Sequence, residues 1–253
     1  MDVFGAIKQR RTYRKAFRPE PISDVHLLQL IEAARWAPSP FNTQPWELLV
    51  IRKAATRDAI AERVAACVVE QFKDAAFLDD NSRWMRLTEQ EWEAAGDGVL
   101  LSAHVNLPAF LKERPERLRP LQKHAKRLSL LGHLGAGKKP AKEMANLVRA
   151  SPLLILVLMN TERRPPGEGA ERWMWLGMGA MVQNLLLAAT ALNIGTQFVS
   201  APIESASDRE RLKQLLDIPN PLEIVTLLRL GYVDAVETGA VRLPPTAFVR
   251  YED

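Results

Sequence analysis

The sequence contains little cysteine and few histidines: one cysteine, Cys67, and four histidines among 253 residues. One cysteine cannot form an internal disulfide, which excludes a disulfide-stabilised secreted scaffold and favours a reducing compartment such as the cytoplasm. The histidines show no metal-ligand spacing, and no second cysteine joins them. The sequence therefore predicts a cytoplasmic protein without a bound metal.

Long apolar runs and secretion signals are also missing. The longest strongly apolar stretch, residues 153–159, is far too short to cross a bilayer. The first residues lack a basic region followed by an apolar run, so no secretory signal is expected. The pattern Gly-x-Ser-x-Gly is absent, so no serine-hydrolase nucleophile is visible. We expect no membrane partner.

Neither sign of charge dominates the composition. The formal net charge is +4 and the sequence pI is about 9.3. This mild excess of positive charge is as consistent with an anionic small-molecule ligand, or with solubility alone, as it is with nucleic-acid binding. Hydrophobic residues make up 47% and charged residues 25%, which are ordinary globular values. A chain of this length can form one large domain with an ample core.

Two dense polar clusters lie near the N-terminus. Residues 10–14 read Arg-Arg-Thr-Tyr-Arg; so many guanidiniums make a poor core segment but a good clamp for phosphate oxygens. Residues 37–46 read Ala-Pro-Ser-Pro-Phe-Asn-Thr-Gln-Pro-Trp, a proline-stiffened loop with amide, hydroxyl and aromatic groups. Such a loop suits recognition of a flat ring rich in heteroatoms. The two clusters together predict a ligand that carries a phosphate and an aromatic ring.

Predicted strands and helices alternate along much of the chain. Ser23 is the predicted N-cap of a helix that Pro38 stops, and Ser207 with Glu210 forms a predicted capping box. The other predicted helices cover residues 57–72, 172–193 and 208–216. Short apolar runs predict buried strands at residues 47–52, 151–159, 195–200 and 223–233. This order predicts an α+β fold, with a mixed central sheet flanked by helices.

Residues 73–150 differ in character from the regions on either side. Their aromatic residues are Phe77, Trp84, Trp92 and Phe110. A basic tract follows over residues 112–149, and no clear strand appears. We interpret the segment as a mostly helical insertion in a single domain over residues 1–253. The basic tract fits either a solvated helical face or a nucleic-acid surface, and the solvated face is favoured.

The two N-terminal clusters and three later segments together resemble the nitroreductase family of FMN-dependent enzymes. Residues 179–189 are similar to that family's central dimerisation helix. Residues 195–204 resemble its strand and flavin-edge loop. Leu-Gly-Tyr at residues 230–232, and Arg242 ahead of two prolines, resemble its final strand and phosphate-contacting tail. The resemblance covers both ends of the chain and leaves out residues 73–150.

The resemblance implies a homodimer with FMN at the subunit interface and NAD(P)H as co-substrate. The implied acceptor is a small aromatic molecule, such as a nitroaromatic, a quinone or a related electron-poor compound, and no nucleic acid is expected. Arg10 and Arg242 are implied to bind the FMN phosphate with Arg11 nearby, and Thr12 to bind the ribityl or pyrimidine edge. Arg14 is implied near the N1–O2 side of the flavin, where a fixed cation stabilises the reduced ring.

The resemblance also assigns the two loops that would contact the flavin ring. Four residues of the first loop are implied to contact the cofactor. They are Pro38, Ser39 and Asn42, which would come from the partner subunit, and Gln44. The backbone around flavin N5 is implied to come from Pro202, Ile203, Glu204 and Ser205. Arg14 and Glu204 are the candidate catalytic residues.

Two alternative functions remain open from the sequence. The long aromatic insertion also suits a specialised branch of the family that carries out reductive dehalogenation, flavin fragmentation or substrate desaturation. A binding protein without enzyme activity is the other alternative, either a flavin carrier or a nucleic-acid binder that uses residues 112–149.

Overall fold

A computed structural model of the chain describes residues 1–104, 113–122, 124–234 and 239–252. Phe110, Lys112 and Lys123 therefore lie outside the described residues. The chain divides into two compact units, Met1–Val64 with Met144–Glu237 and Ala65–Glu143 with Thr238–Asp253. The interpretation of residues 73–150 as an insertion in a single domain stays a prediction.

The described residues form both helices and strands, as the α+β prediction requires. The helices are α1 Val3–Gln9, α2 Asp24–Arg35, α3 Ala54–Gln71, α4 Ala75–Trp84, α5 Glu89–Ala95, α6 Leu101–His104, α7 Arg119–Gln122, α8 Ala125–His133, α9 Lys138–Arg149, α10 Ala170–Ala191 and α11 Ala206–Leu215. The strands are β1 Trp46–Ile51, β2 Met85–Arg86, β3 Val99–Leu100, β4 Leu153–Asn160, β5 Ile194–Phe198 and β6 Leu222–Tyr232. The predicted fold class is confirmed.

The first unit is built on a four-stranded sheet in the order β1-β4-β6-β5. Each neighbouring pair of these strands is antiparallel. A parallel bridge joins Thr12 to Thr196 of β5. Since β5 is an edge strand, residue 12 extends the sheet beyond that edge and makes it mixed.

Strand β4 lies inside the sheet and is apolar from Leu153 to Met159. Ile155 and Val157 belong to a core cluster that also includes side chains of α2 and α10. Leu154 and Leu156 alternate to the opposite face of the sheet and are 0% exposed. An unbroken apolar run is therefore what this strand needs, because both of its faces are covered.

Helices α2 and α10 cover one face of the sheet. The Ser23 hydroxyl accepts a hydrogen bond from the His26 N–H at 3.2 Å, which confirms the predicted N-cap. Among the described residues, α10 alone is long and apolar enough to cross a membrane by length and composition. Half of its most apolar window is buried inside the fold, and the core helix of a globular protein passes the same test.

Two predictions about local structure are wrong. Helix α11 is capped by Ser205 and not by Ser207, because the Ser205 hydroxyl accepts from the Asp208 N–H at 3.0 Å. Ser207 and Glu210 lie within the helix. Strands β2 and β3 form a two-stranded parallel sheet inside residues 73–150, where no strand was expected. Two-residue strands are too short to show the alternation on which strand prediction rests.

The second unit is mostly helical, with α4 packed on α8. An added Cβ at Gly132 would lie 1.9 Å from the Phe72 carbonyl oxygen, so this contact requires glycine. Trp92 donates from its indole N–H to the Gly98 carbonyl at 3.2 Å and is half-buried. Trp84 is 59% exposed. The Trp92 ring is thus tied into the unit, whereas the Trp84 ring faces solvent.

Candidate functional site

The arginine-rich segment is fixed along the edge of the sheet. Helix α1 ends at Gln9 and is followed by its C-cap residue, Arg10, whose backbone N–H donates to the Ala6 carbonyl at 2.9 Å. The Tyr13 N–H donates to the Thr196 carbonyl at 2.8 Å, and the Arg18 N–H donates to the Tyr232 carbonyl at 3.0 Å. The segment that follows Arg10 therefore takes its position from the backbone of β5 and β6.

An open cavity of about 550 Å³ lies beside this segment, in the first unit. Its lining residues are Arg10, Thr12, Trp175, Met178, Gly179, Val182, Gln183, Leu186, Phe198, Val225 and Thr226. Most of the apolar lining belongs to α10, and an added Cβ at Gly179 would meet no atom within 4 Å. One side of the cavity thus offers a cation and a hydroxyl, while the helix offers an apolar surface and an amide.

This donor set fits a phosphate-bearing planar ligand such as FMN. Arg10 supplies the charge and geometry that phosphate requires, and Thr12 supplies a hydroxyl close by. The apolar face of α10 gives a flat ring a surface to lie on, and the open space above Gly179 leaves room for it. The volume is that of a typical small-molecule site, which runs from about 300 to about 1,000 Å³.

The predicted cofactor loop has a constrained backbone. Phe41, Asn42 and Gln44 have φ values of 51°, 52° and 45°, a left-handed conformation that residues other than glycine adopt at a cost. The Ser39 hydroxyl accepts from the Gln44 N–H at 3.0 Å, and the Gln44 side-chain amide donates to Asn42 Oδ1 at 3.0 Å. These internal hydrogen bonds hold the conformation. Strain of this kind is concentrated at binding sites.

The loop lies on α10 but does not line the Arg10 cavity of its own chain. An added Cβ at Gly177 would lie 3.4 Å from the Pro38 carbonyl oxygen and 3.5 Å from Ser39 Cα, so the loop packs directly on that helix. Pro38, Ser39, Asn42 and Gln44 are not among the lining residues of the cavity. Their approach to a cofactor from the partner subunit stays a prediction.

Residues 202–205 form the turn that leads from β5 to α11. Pro202 is buried, and Glu204 and Ser205 are exposed. The Arg209 guanidinium donates to the carbonyls of Ile203 and Glu204 at 2.8 and 3.1 Å, which fixes this backbone. The Ser205 hydroxyl is engaged as the cap of α11. The structure does not bring these side chains into the Arg10 cavity, and their place beside a flavin stays a prediction.

The other predicted arginines have different surroundings. Arg11 donates from Nη1 to the carbonyls of Lys8 and Arg10 at 2.6 and 2.8 Å, so its guanidinium interacts with the C-terminal end of α1. Arg14 is half-buried within the segment. Arg242 belongs to the second unit, where its backbone carbonyl lies close to Gly96. The pairing of Arg242 with Arg10 at one phosphate therefore stays a prediction.

Arg229 is a residue beside the site that the sequence patterns did not indicate. Its side chain is 0% exposed and donates to Gln197 Oε1 at 2.5 Å and to the carbonyls of Tyr13 and Lys15 at 3.0 and 2.9 Å. Burial lowers the pKa of Arg229 to about 10, and Tyr13 partly opposes that shift. The guanidinium is still charged at neutral pH. A lone arginine in an apolar strand was the available signal, because arginine is almost never fully buried without partners.

Comparisons with known proteins identify the family and the fold of this chain. The sequence matches the nitroreductase family profile over residues 7–232. It is 26% identical to an NADH dehydrogenase of Thermus thermophilus, covering 96% of this chain and 93% of that protein. It is 24% identical to a 4-nitrobenzoate reductase of Pseudomonas putida, with 96% and 91% covered. A structure from Desulfovibrio desulfuricans, described as a nitroreductase in complex with FMN, superposes with a TM-score of 0.58 at 22% identity, with 100% and 98% covered.

Proposed function

The chain belongs to the nitroreductase family, and we propose that its Arg10 cavity is where electrons pass from NAD(P)H to electron-poor aromatic or quinone acceptors. As a family member it is an FMN-dependent NAD(P)H oxidoreductase. The observation that supports this location is the joining of Arg10 and Thr12 with the apolar face of α10 in one cavity.

The described residues would each have a distinct task at this site. FMN, when bound, supplies the chemistry of accepting two electrons from NAD(P)H and handing them to the acceptor. Arg10 would hold the phosphate, with Arg242 as a proposed second contact. Thr12 would bond the ribityl or pyrimidine edge, and Arg14 would place positive charge on the N1 side of the ring. Met178 and Val182 would keep water from one side of the cavity.

Several large apolar side chains near the site are exposed. Trp173 and Leu176 of α10 are 52% and 64% exposed, and Phe4 and Ile7 of α1 are 72% and 50% exposed. Helix α1 packs on α10, so these side chains belong to neighbouring helices. Exposed apolar surface of this kind marks an interface. We expect a homodimer formed through α10, in which the Pro38–Gln44 loop of the partner subunit completes the site.

Dimerisation is tested by Leu176→Arg. An arginine here places a charge in the proposed apolar interface, and we expect the variant to sediment as a monomer at micromolar concentration and to bind FMN at least tenfold more weakly. Leu28→Arg on α2 is the matched control, because Leu28 is also 64% exposed, and it should stay dimeric. A wild-type chain that is an active, FMN-loaded monomer would refute the dimer.

The proposed function is tested on the purified protein in two steps. Cofactor released by heat or acid should migrate as FMN, at one per chain. The loaded protein should oxidise NADH or NADPH rapidly when 4-nitrobenzoate or a simple quinone is added, and slowly without an acceptor. Release of FAD, or failure to bind FMN on reconstitution, would refute the cofactor assignment. FMN binding with no turnover of either acceptor class would favour the specialised family branch or a flavin carrier.

Acceptor choice is tested at the exposed tryptophan of the second unit. We propose that the Trp84 ring, which is 59% exposed, affects the size of acceptor that the enzyme uses, since large rigid rings are effective contacts for planar molecules. Trp84→Ala should shift kcat/KM between a small and a large acceptor about tenfold, with the melting temperature unchanged. Trp92→Ala is the comparison: it removes the hydrogen bond to Gly98 and should lower the melting temperature. An equal loss across acceptors for Trp84→Ala would place the size limit elsewhere.

A further inference from the structure

We propose that Arg229 and Gln197 are positioning residues that hold the Arg10–Thr12 segment in its ligand-binding conformation before the cofactor arrives. The inference rests on the proposed function in one respect only, because it takes the Arg10 cavity as the place where the FMN phosphate binds. Neither residue lines that cavity. Both act through the backbone that follows Thr12.

The surroundings of Arg229 contribute little to the stability of the fold, but they allow its side chain to position the Arg10–Thr12 segment. Its hydrogen-bond acceptors are the Gln197 side-chain oxygen and two backbone carbonyls, and its Nη1 has no hydrogen-bond partner. A buried cation without a carboxylate partner is costly, and an apolar side chain of similar volume commonly gives equal or greater stability. The specific result of this arrangement is that one side chain fixes the carbonyls of Tyr13 and Lys15.

Those two carbonyls determine where Thr12 lies. Tyr13 is held on both sides: its N–H donates to the Thr196 carbonyl at 2.8 Å, and its carbonyl accepts from Arg229 Nη2 at 3.0 Å. Thr12, the preceding residue, makes the parallel bridge to Thr196 and lines the cavity. The hydroxyl of Thr12 and the start of the segment at Arg10 are thereby placed relative to β5.

Gln197 fixes the orientation of the guanidinium. The two residues are directly opposite each other in the pairing of β5 with β6, and Gln197 is 5% exposed. Gln197 Oε1 accepts from Nε of Arg229, which leaves Nη2 directed at the segment. Lysine could not reproduce this arrangement, because its single ammonium cannot offer Nε and Nη2 in a planar fork.

A pair of glycines leaves the space in which the segment packs on the sheet. Gly195 and Gly231 are also directly opposite each other, two residues from Gln197 and Arg229 on the same sheet face. Phe17 lies over them: an added Cβ at Gly231 would come 2.4 Å from Phe17 Cβ. The Arg229 Cζ atom lies 4.4 Å from the centre of the Phe17 ring, within range for a cation–π contact. The segment is therefore held by the packing of Phe17 as well as by the hydrogen bonds of Tyr13, Lys15 and Arg18.

Pre-ordering of this kind raises affinity, because ligand binding does not then have to order the segment. Removal of the guanidinium should leave the sheet intact and release residues 10–15. The free protein should show faster hydrogen exchange there, and FMN should bind at least tenfold more weakly. Arg10→Ala should weaken FMN binding much less in an Arg229→Met background than in wild type. In that background Arg10 is already misplaced and contacts the phosphate weakly, so its removal changes little.

The test uses apoprotein prepared from wild type, Arg229→Met, Arg229→Lys and Gln197→Leu. FMN dissociation constants come from flavin fluorescence, and amide hydrogen exchange is measured without FMN. Arg63→Met is the matched control, because Arg63 is a half-buried arginine of the same unit, paired with Asp208. We expect weaker FMN binding and faster exchange at residues 10–15 for all three test variants, and neither effect for Arg63→Met.

Each outcome has a defined meaning. Unchanged FMN affinity and exchange in Arg229→Met and Gln197→Leu would overturn the positioning role. An equal loss of affinity in Arg63→Met would also overturn it, by showing a general effect of lower stability. If Arg229→Met does not fold, Gln197→Leu decides, because it keeps the buried guanidinium and removes only the acceptor that orients it. Wild-type apoprotein that does not bind FMN would instead refute the proposed function, whereas the exchange data still report whether Arg229 orders the segment.

Discussion

Replacing Arg10 by alanine is expected to weaken FMN binding about ten- to hundredfold, because a charge-assisted phosphate contact contributes about 1.5–3 kcal/mol. Arg10 lines the cavity at the point where α1 ends and the sheet-edge segment begins. Its backbone is held by the Ala6 carbonyl, so truncation of the side chain leaves the main chain in place. Titration of apoprotein with FMN, followed by flavin fluorescence, gives the dissociation constant.

Two companion variants make the Arg10 result specific. Lys8→Ala removes one positive charge from an exposed position of the same helix, and it should change FMN affinity less than threefold if contact rather than net charge matters. Arg242→Ala should weaken binding by the same factor as Arg10→Ala if both arginines bind the phosphate. Wild-type affinity in the Arg10 variant would place the phosphate elsewhere.

Replacing Gly231 by alanine is expected to lower the melting temperature more than any other change proposed for this protein. The added Cβ would lie 2.4 Å from Phe17 Cβ and 2.6 Å from Phe17 Cγ, atoms close to the backbone that cannot turn away. Overpacking typically costs about 1–3 kcal/mol, and this contact belongs at the upper end, which corresponds to roughly 6–12 °C. FMN affinity should fall as well, since Phe17 belongs to the segment that carries Arg10 and Thr12.

Gly179→Ala is the control with the opposite expected effect on stability. Its added Cβ would meet no atom within 4 Å, and alanine is favoured over glycine inside a helix by about 1 kcal/mol, so the melting temperature should rise. The same methyl group points into the open side of the cavity and should weaken FMN binding. Calorimetry and FMN titration of both variants check this. A Gly231→Ala protein as stable as wild type would contradict the packing described for Phe17.

The strands and helices of the first unit could be predicted because their signals are local. The apolar run at β4 and the serine before α2 each lie within a few residues of the element that they specify. The four main strands end within two residues of their predicted ends. Where a local signal was ambiguous the prediction failed, as at the start of α11, where serines occupy positions 205 and 207 and the hydrogen bond from the Asp208 N–H identifies Ser205 as the cap.

The site could be predicted only in part because much of it depends on strand pairing. Arg10 and Thr12 belong to one dense cluster, which the sequence displays directly, and both line the cavity. The pairing of Arg229 with Gln197 joins residues that are 32 apart and exists only in the register of β5 against β6. The packing of Phe17 on the sheet likewise requires two glycines that lie opposite each other on neighbouring strands. No spacing within the sequence specifies such pairs.

The bridge between Thr12 and Thr196 also has a consequence for solubility. An uncovered edge strand presents free backbone donors and acceptors that can pair with another chain, and proteins avoid this by covering the edge. In this protein the segment that covers the β5 edge through Thr12 also carries Arg10, the proposed phosphate ligand. A substitution that releases the segment would thus expose an aggregation-prone edge, and protection from self-association and ligand binding would be lost together.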